Sequence, residues 1–167
     1  MGDRKRFARF AELISQTHPG RDVRIADVAG GKGHLQAALR SHGYADIVTF
    51  DKRPKMAKRH RQKFYRYEWF SFAKHRKEFG LVVAMHPDEG TDHSILYAVN
   101  NRVPFLVCPC CITPSATAFW DRKNFATWVA HLERLALATH ELRRETLAIA
   151  GRSLVLVGTP RARLAVA

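Results

Sequence analysis

Apolar positions along the chain fall into two spacings that take turns. Residues 4 to 16 place Phe7, Phe10, Leu13 and Ile14 at helical intervals, and His18-Pro19-Gly20 stops the run. Val23 to Val28 reads as a buried strand, followed by a glycine loop and a helix that ends near Ser41. "YADIVTF" gives a second strand running up to Asp51, and Pro54 to Lys63 a basic helix with Pro54 in its first turn. "KFYRYEWFSF" supplies a third strand and "GLVVAMH" a fourth, with a helix from Thr91 to Asn101 behind it. "VPFLVCP" is a fifth strand. A long amphipathic helix lies within Phe119 to Thr139, through Phe125, Trp128, Val129, Leu132, Leu135 and Ala136. "RSLVLVGTPRARLAVA" reads as two strands around Gly158-Thr159-Pro160-Arg161, a closing hairpin.

Strands alternating with helices predict an α/β fold whose mostly parallel sheet is covered on both faces. The hairpin would add one antiparallel strand at the edge. No repeat, low-complexity tract or linker interrupts the pattern. Residues 1–167 therefore read as one domain, a basic amphipathic helix over 1–20 leading into a core over 21–167.

Hydrophobic residues make up 46% of the chain, enough for a core without disulfides, and no apolar run nears the ~20 residues of a membrane helix. Asp3 and Glu12 interrupt the N-terminal segment, which reads as no secretory signal. Cys108, Cys110 and Cys111 are clustered rather than spread as a disulfide framework, which fits a reducing cytoplasm.

Charge changes the picture further. Lys and Arg number 28 against 15 Asp and Glu, a formal charge of +13, and the excess is local. Residues 52 to 77 hold eleven Lys or Arg and a single acid, Glu68, interleaved with Phe64, Tyr65, Tyr67, Trp69, Phe70 and Phe72. Such a surface attracts phosphate backbones, and Lys55, Lys58, Arg59, Arg61, Lys63 and Arg66 are its candidate RNA contacts. A solvated basic face that confers only solubility is the plainer alternative. Tyr67 and Trp69 are candidates for base stacking, whereas Trp120 and Trp128 read as packing on one helix face.

The glycine loop "DVAGGKGHL" can be weighed against three cofactor classes. A P-loop requires G-x-x-x-x-G-K-[ST], and here Lys32 is followed by Gly33 and His34. A dinucleotide turn requires a third glycine where Gln36 stands. S-adenosylmethionine, which lacks phosphates, calls for small residues that let the backbone approach and an acid near its cationic end. Asp27, Ala29, Gly31 and Gly33 meet that need, and Asp51 at the end of strand two can accept from both ribose hydroxyls.

On these residues the chain resembles the class I S-adenosylmethionine-dependent methyltransferases over most of its length. "GKGHL" and "CPCC" are further similar to the methyltransferase-domain family found in glutathione S-transferase C-terminal-domain-containing proteins. The resemblance implies a Rossmann-like sheet of order 3-2-1-4-5-7-6 with a C-terminal antiparallel hairpin. It also implies that Asp27, Ala29, Gly30, Gly31, Gly33 and His34 surround the methionine end. Asp51 would then hold the ribose, with Lys52 and the segment of strand four leading to His86 nearby. No residue after strand three identifies itself as the adenine cap.

Acceptor chemistry in this fold sits beyond strands four and five, where "MHPDEGTDH" and "CPCC" fall. Asp88 or Glu89 can accept a proton or hydrogen bond from an acceptor group, with His86 as an alternative base. The same residues can equally shape a turn and open the next helix. Cys110 has the place of the thiolate nucleophile of RNA cytosine-C5 methyltransferases, although the Pro-Cys those enzymes carry after strand four is absent. Cys108 and Cys111 make a C-x-x-C pair that could bind zinc with His86 or His93, but one pair is only half a tetrahedral site and no second C-x-x-C exists, so no metal is expected; pocket-wall cysteines are the simplest reading. The expectation is an S-adenosylmethionine-dependent methyltransferase acting on RNA, tRNA or rRNA, aided or not by a protein partner. A non-catalytic nucleic-acid-binding module and a protein or small-molecule methyltransferase are the alternatives.

Overall fold

The computed structural model describes residues 5–162. Seven strands form one sheet: β1 (Ile25–Val28), β2 (Ile47–Phe50), β3 (Tyr65–Arg66), β4 (Leu81–Met85), β5 (Phe105–Cys108), β6 (His140–Thr146) and β7 (Leu154–Pro160). Their order is β3-β2-β1-β4-β5-β7-β6, as the family resemblance implies. The first five run parallel, while β7 is antiparallel to both β5 and β6. The central strands are buried along their whole length, which explains why they read as unbroken apolar runs rather than alternating ones.

Helices α1 (Arg6–Thr17), α2 (His34–Ser41), α3 (Gly90–Asn101) and α4 (Phe125–Ala136) cover the sheet. Two cores result, one per face. Phe10, Ile14, Leu35 and Leu39 close one of them over Ile25, Ile47, Val83 and Leu106. Tyr97, Trp128, Leu132 and Phe105 fill the other with Val28, Phe50 and Val82. Among the described residues no helix is long and apolar enough to cross a membrane.

Four expectations are corrected. The closing hairpin pairs β6 with β7, residues 158–160 lie in β7 rather than in a turn, and most of the second strand read after them lies outside the described residues. Strand β6, "HELRRET", is an outer strand buried only at His140, so its charged side chains disguise it and also discourage edge-to-edge pairing. Gly158 signals a turn in sequence, yet it pairs within the sheet. A Cβ there would lie 2.1 Å from Phe105, so the glycine makes room for a ring.

The basic helix is a 3-10 segment, Pro54–Arg61. Lys55, Lys58, Arg59 and Arg61 have no acid among them to relieve their repulsion, and Met56 is its buried hydrophobic anchor. The third strand is only Tyr65–Arg66, because Phe70 leaves the sheet to enter an aromatic box. Phe70 stacks on His75 at 5.2 Å and packs against Phe50 and Tyr97. Trp128 packs within α4 as expected, but Trp120 lies before the helix and is 89% exposed.

Candidate functional site

Strand β1 delivers Asp27 to the middle of the sheet, fully buried between β2 and β4. Its Oδ2 accepts from the Thr49 hydroxyl at 2.9 Å, and its Oδ1 has no hydrogen-bond partner. Burial pushes its pKa up to about 7, with the Asp51 charge adding to the rise and the Thr49 bond opposing it. Beyond β1 the chain turns through Ala29, Gly31 and Gly33, all with positive φ, before α2 begins. A Cβ on Gly30 would lie 2.1 Å from Asp27 Oδ2. Gly30→Ala is therefore expected to displace the loop or the carboxylate. Cofactor affinity should drop at least about tenfold, a loss of roughly 1.4 kcal/mol, which calorimetric titration checks.

The buried Asp51 carboxylate faces this loop. It accepts from Gly31 N–H at 2.9 Å, from Arg53 N–H at 3.0 Å, and from the Arg53 guanidinium, whose Nε lies 2.9 Å from Oδ1. Burial acts to raise its pKa, but the bonds and charge of Arg53 and the Gly31 N–H outweigh burial and hold it below the usual carboxylate range. Tyr65 completes the wall by donating to the Gly31 carbonyl at 2.9 Å. Gln36, which stands where a dinucleotide loop needs glycine, donates to the carbonyls of Ile47 and Phe64 at 2.8 and 2.9 Å. It ties α2 to the adjoining strands, a task a glycine could not do.

Two cavities meet at Ala29. One, of about 930 Å³, is lined by Asp27, Gly30, Gly31, His34, Arg53 and His86, with Arg6 and Phe7 of α1 at its rim. The other, of about 360 Å³ and mostly apolar, lies between Val28, Phe50, Asp51, Trp69, Phe70 and His93. Glu68, Ser71 and Ser115 extend its wall. The buried Nδ1 of His93 has no partner, and burial lowers the pKa of the ring.

The loops after β4 and β5 flank these cavities. His86, at positive φ, has its Nε2 2.9 Å from the Arg152 carbonyl and its Nδ1 3.5 Å from Arg6. A carbonyl only accepts, so Nε2 carries the proton and Nδ1 accepts from Arg6. Burial lowers the pKa of this imidazole, with the Arg152 carbonyl opposing and Arg6 assisting. Asp88 accepts from the Cys110 thiol at 3.1 Å. Burial first, then that bond to a carboxylate, pushes the Cys110 thiol far above the ordinary range. A thiol so held is protonated, which disfavours its use as a thiolate nucleophile.

No protein-family model matches the sequence, and no curated protein matches it. Solved structures do. The sugar N-methyltransferase KedS8 from Streptoalloteichus superposes with a TM-score of 0.66 at 16% identity, over 96% of this chain and 89% of that one. The methyltransferase domain of bacterial CtHen1 gives 0.61 at 12% identity, over 93% and 98%. The glycopeptide N-methyltransferase MtfA, solved with S-adenosyl-L-homocysteine, gives 0.59 at 10% identity, over 92% and 90%. The fold is that of the class I methyltransferases.

Within the methyltransferase fold the expected residues do not all take the same part. Asp27, Ala29, Gly30, Gly31, His34, Asp51 and His86 line one cavity or the other. Gly33 is instead the left-handed residue that opens α2. Lys52 is exposed and stacks on Tyr67, its Nζ 4.4 Å from the ring centre. Glu89 lines the apolar cavity, while Asp88 and Cys110 face each other beside it. Lys55, Lys58, Arg61 and Lys63 are exposed and Arg59 half-buried, whereas Arg66 forms a bidentate pair with Glu78 and is withdrawn from the basic surface.

Sequence reasoning missed the part that four residues play. Trp69, read as a base-stacking residue, and Phe70, noticed only as a member of the basic stretch, form a cavity wall. Arg53 reaches back two residues onto Asp51, a contact its sequence neighbourhood alone does not announce. Asp92, buried at the start of α3, gathers the loop after β5. Its Oδ2 accepts from the N–H groups of Ser115, Ala116 and Thr117 at 3.0, 2.9 and 3.0 Å and lies 3.0 Å from the Thr117 hydroxyl.

Proposed function

We propose that this chain is a methyltransferase that uses S-adenosylmethionine and acts on RNA, with tRNA and rRNA as the acceptors to test first. The observation that carries the cofactor reading is the pair of cavities joined at Ala29, with Asp51 lining the apolar one and hydrogen-bonded to Gly31 and Arg53 of the other. An apolar slot suits a flat base, the Asp51 carboxylate suits a ribose diol, and the cavity holding the unpartnered Asp27 oxygen suits a cationic amino acid. Gly30 fits the same reading, since any side chain there would collide with Asp27. "GKGHL" and "CPCC" support membership of the methyltransferase-domain family named above, and the three free cysteines fit a reducing cytoplasm.

The cofactor supplies a methyl group already made electrophilic by its sulfonium. What remains for the protein is to bind, align and exclude water. Asp51 would hold the ribose, Asp27 would meet positive charge, and Trp69, Phe70 and His93 would enclose the base. Asp88 and Glu89, on the loop after β4, are the acids placed to orient an acceptor, while His86 braces α1 against the β6–β7 connection.

RNA as acceptor rests on the exposed Lys55, Lys58, Arg61 and Lys63, with Arg59 among them, and on the exposed rings of Trp69 and Trp120. Lys55 also lines the larger cavity, so the basic surface reaches the site itself. Calorimetry with S-adenosylmethionine, compared with Asp51→Ala, tests the cofactor, and a loss of about a hundredfold, roughly 2.7 kcal/mol, is expected. Transfer of labelled methyl to tRNA or rRNA fragments, with affinity falling steeply as salt rises, tests the acceptor. Salt-sensitive RNA binding without cofactor binding would instead indicate a non-catalytic module. Cofactor binding with no RNA affinity would point to a protein or small-molecule acceptor, or to a partner that recognises RNA.

A further inference from the structure

We propose that Asp88, Cys110 and Cys111 form a binding site for one divalent metal ion of the zinc class. The register of the sheet brings them together. Met85 of β4 pairs with Cys108 of β5, so the residues two and three positions past each strand end emerge side by side. A carboxylate oxygen and the two sulfurs all lie within 4.8 Å of one another, and Cys110 Sγ is 3.1 Å from Asp88 Oδ1. Asp88 and Cys111 are exposed and Cys110 is half-buried, so an ion can reach the cluster.

The donor set selects the ion. Two sulfurs and one oxygen are too soft and too few for calcium or magnesium, which take shells of oxygen. They suit zinc, whose sites accept thiolate and carboxylate together. A divalent ion between the three groups would replace the thiol protons with a charge that all three donors attract.

The pair assembled here is not the Cys108/Cys111 spacing that the sequence suggests. Cys108 is buried, its sulfur directed to the Arg152 carbonyl at 3.7 Å. His86 is committed to the same carbonyl, and His93 packs against Phe72. Three protein donors leave a fourth position open, which is the arrangement of catalytic rather than structural zinc. The chain neighbours of Asp88 line both cavities, Glu89 and Gly90 one and His86 the other. On the methyl-transfer reading, on which this role rests, the open position would take the acceptor atom. Binding of the ion does not depend on that reading.

Cobalt(II) titrated into reduced, metal-free protein tests the site. One equivalent should bind, giving sulfur-to-cobalt charge-transfer absorption in the near ultraviolet and strong visible bands of a four-coordinate ion. Zinc should displace it. Loss of an outer-shell partner already weakens metal sites about 10–100-fold, so Cys110→Ser, Cys111→Ser and Asp88→Asn should each weaken binding at least that much. Cys108→Ser should leave it unchanged. Far-UV circular dichroism checks that each variant is folded. No charge-transfer band at saturating cobalt, or a band that survives in the Cys110→Ser/Cys111→Ser double variant, would overturn the proposal. Calorimetry of S-adenosylmethionine on the same metal-free protein separates that failure from a failure of the cofactor reading.

Discussion

Replacing Asp27 with Asn is expected to make the protein more stable above neutral pH and a poorer binder of S-adenosylmethionine. Asp27 is fully buried, one oxygen has no partner, and its pKa is pushed up to about 7 by burial. Its folded-state pKa therefore lies above the unfolded value. Between pH ~4 and ~7 the unfolded chain releases this proton while the native one retains it, so the native state is progressively disfavoured as pH rises. Above that window the full penalty is present, amounting at most to about 4 kcal/mol at 1.36 kcal/mol per pKa unit. Asn resembles the protonated acid and escapes the penalty.

Urea unfolding of both proteins should thus show similar stability at pH 4 and a clear advantage for Asp27→Asn at pH 8. A variant that gains nothing between the two pH values would refute the account. The same substitution removes the negative charge presented to a cationic ligand, and cofactor affinity should fall at least about tenfold. A gain in stability joined to a loss of binding marks a residue kept for its site rather than for the fold.

Asp92→Ala is the second large effect, in the opposite direction on stability. The wild-type carboxylate receives three consecutive backbone N–H groups from 115–117, lies 3.0 Å from the hydroxyls of Ser115 and Thr117, and accepts from its neighbour His93 N–H. His131 adds a further link, its Nε2 3.1 Å from the Thr117 hydroxyl. Removing the acceptor strands several donors, each costing about 1–3 kcal/mol unless water replaces the lost bond. Because the loop can partly open to solvent, a net loss of about 4 kcal/mol is expected, near the upper end for single substitutions.

For a chain of this size that corresponds to a fall in melting temperature of roughly 10 °C. Ser115 lines the apolar cavity, so the released loop should also raise the dissociation constant for cofactor. A destabilisation below about 1 kcal/mol would show that the loop is held by other contacts. Asp92→Asn, which keeps one carbonyl acceptor, should fall between the two.

Much of this architecture could be read from residue order. The central strands β1, β4 and β5 are apolar throughout because both faces are covered, and a continuous apolar run survives any uncertainty about orientation. Asp27, the small residues after it and Asp51 were legible for a related reason. Their roles depend on backbone conformation and strand ends, which short stretches of chain set locally.

The elements misread were those whose form depends on distant partners. Charged β6 is a strand only because β7 hydrogen-bonds along its length, and Gly158 is sheet rather than turn only because Phe105 fills the space above it. Tyr65 and Arg66 belong to the sheet while Phe70 abandons it for Phe50, His75 and Tyr97. In each case tertiary packing overrides local pattern.

The sequence by itself determined the fold class and the loop that reads as a cofactor site, because hydrophobic period and glycine geometry act over a few residues, while the order of the strands came from the family resemblance those residues carry. Only the tertiary structure decided which side chains meet. It set Arg53 on Asp51, Asp92 beneath the 115–117 loop, and Asp88 against Cys110 and Cys111. The last two contacts join segments that follow different strands, β4 and β5, and strand register, a property of the whole sheet, fixes how far apart they stand.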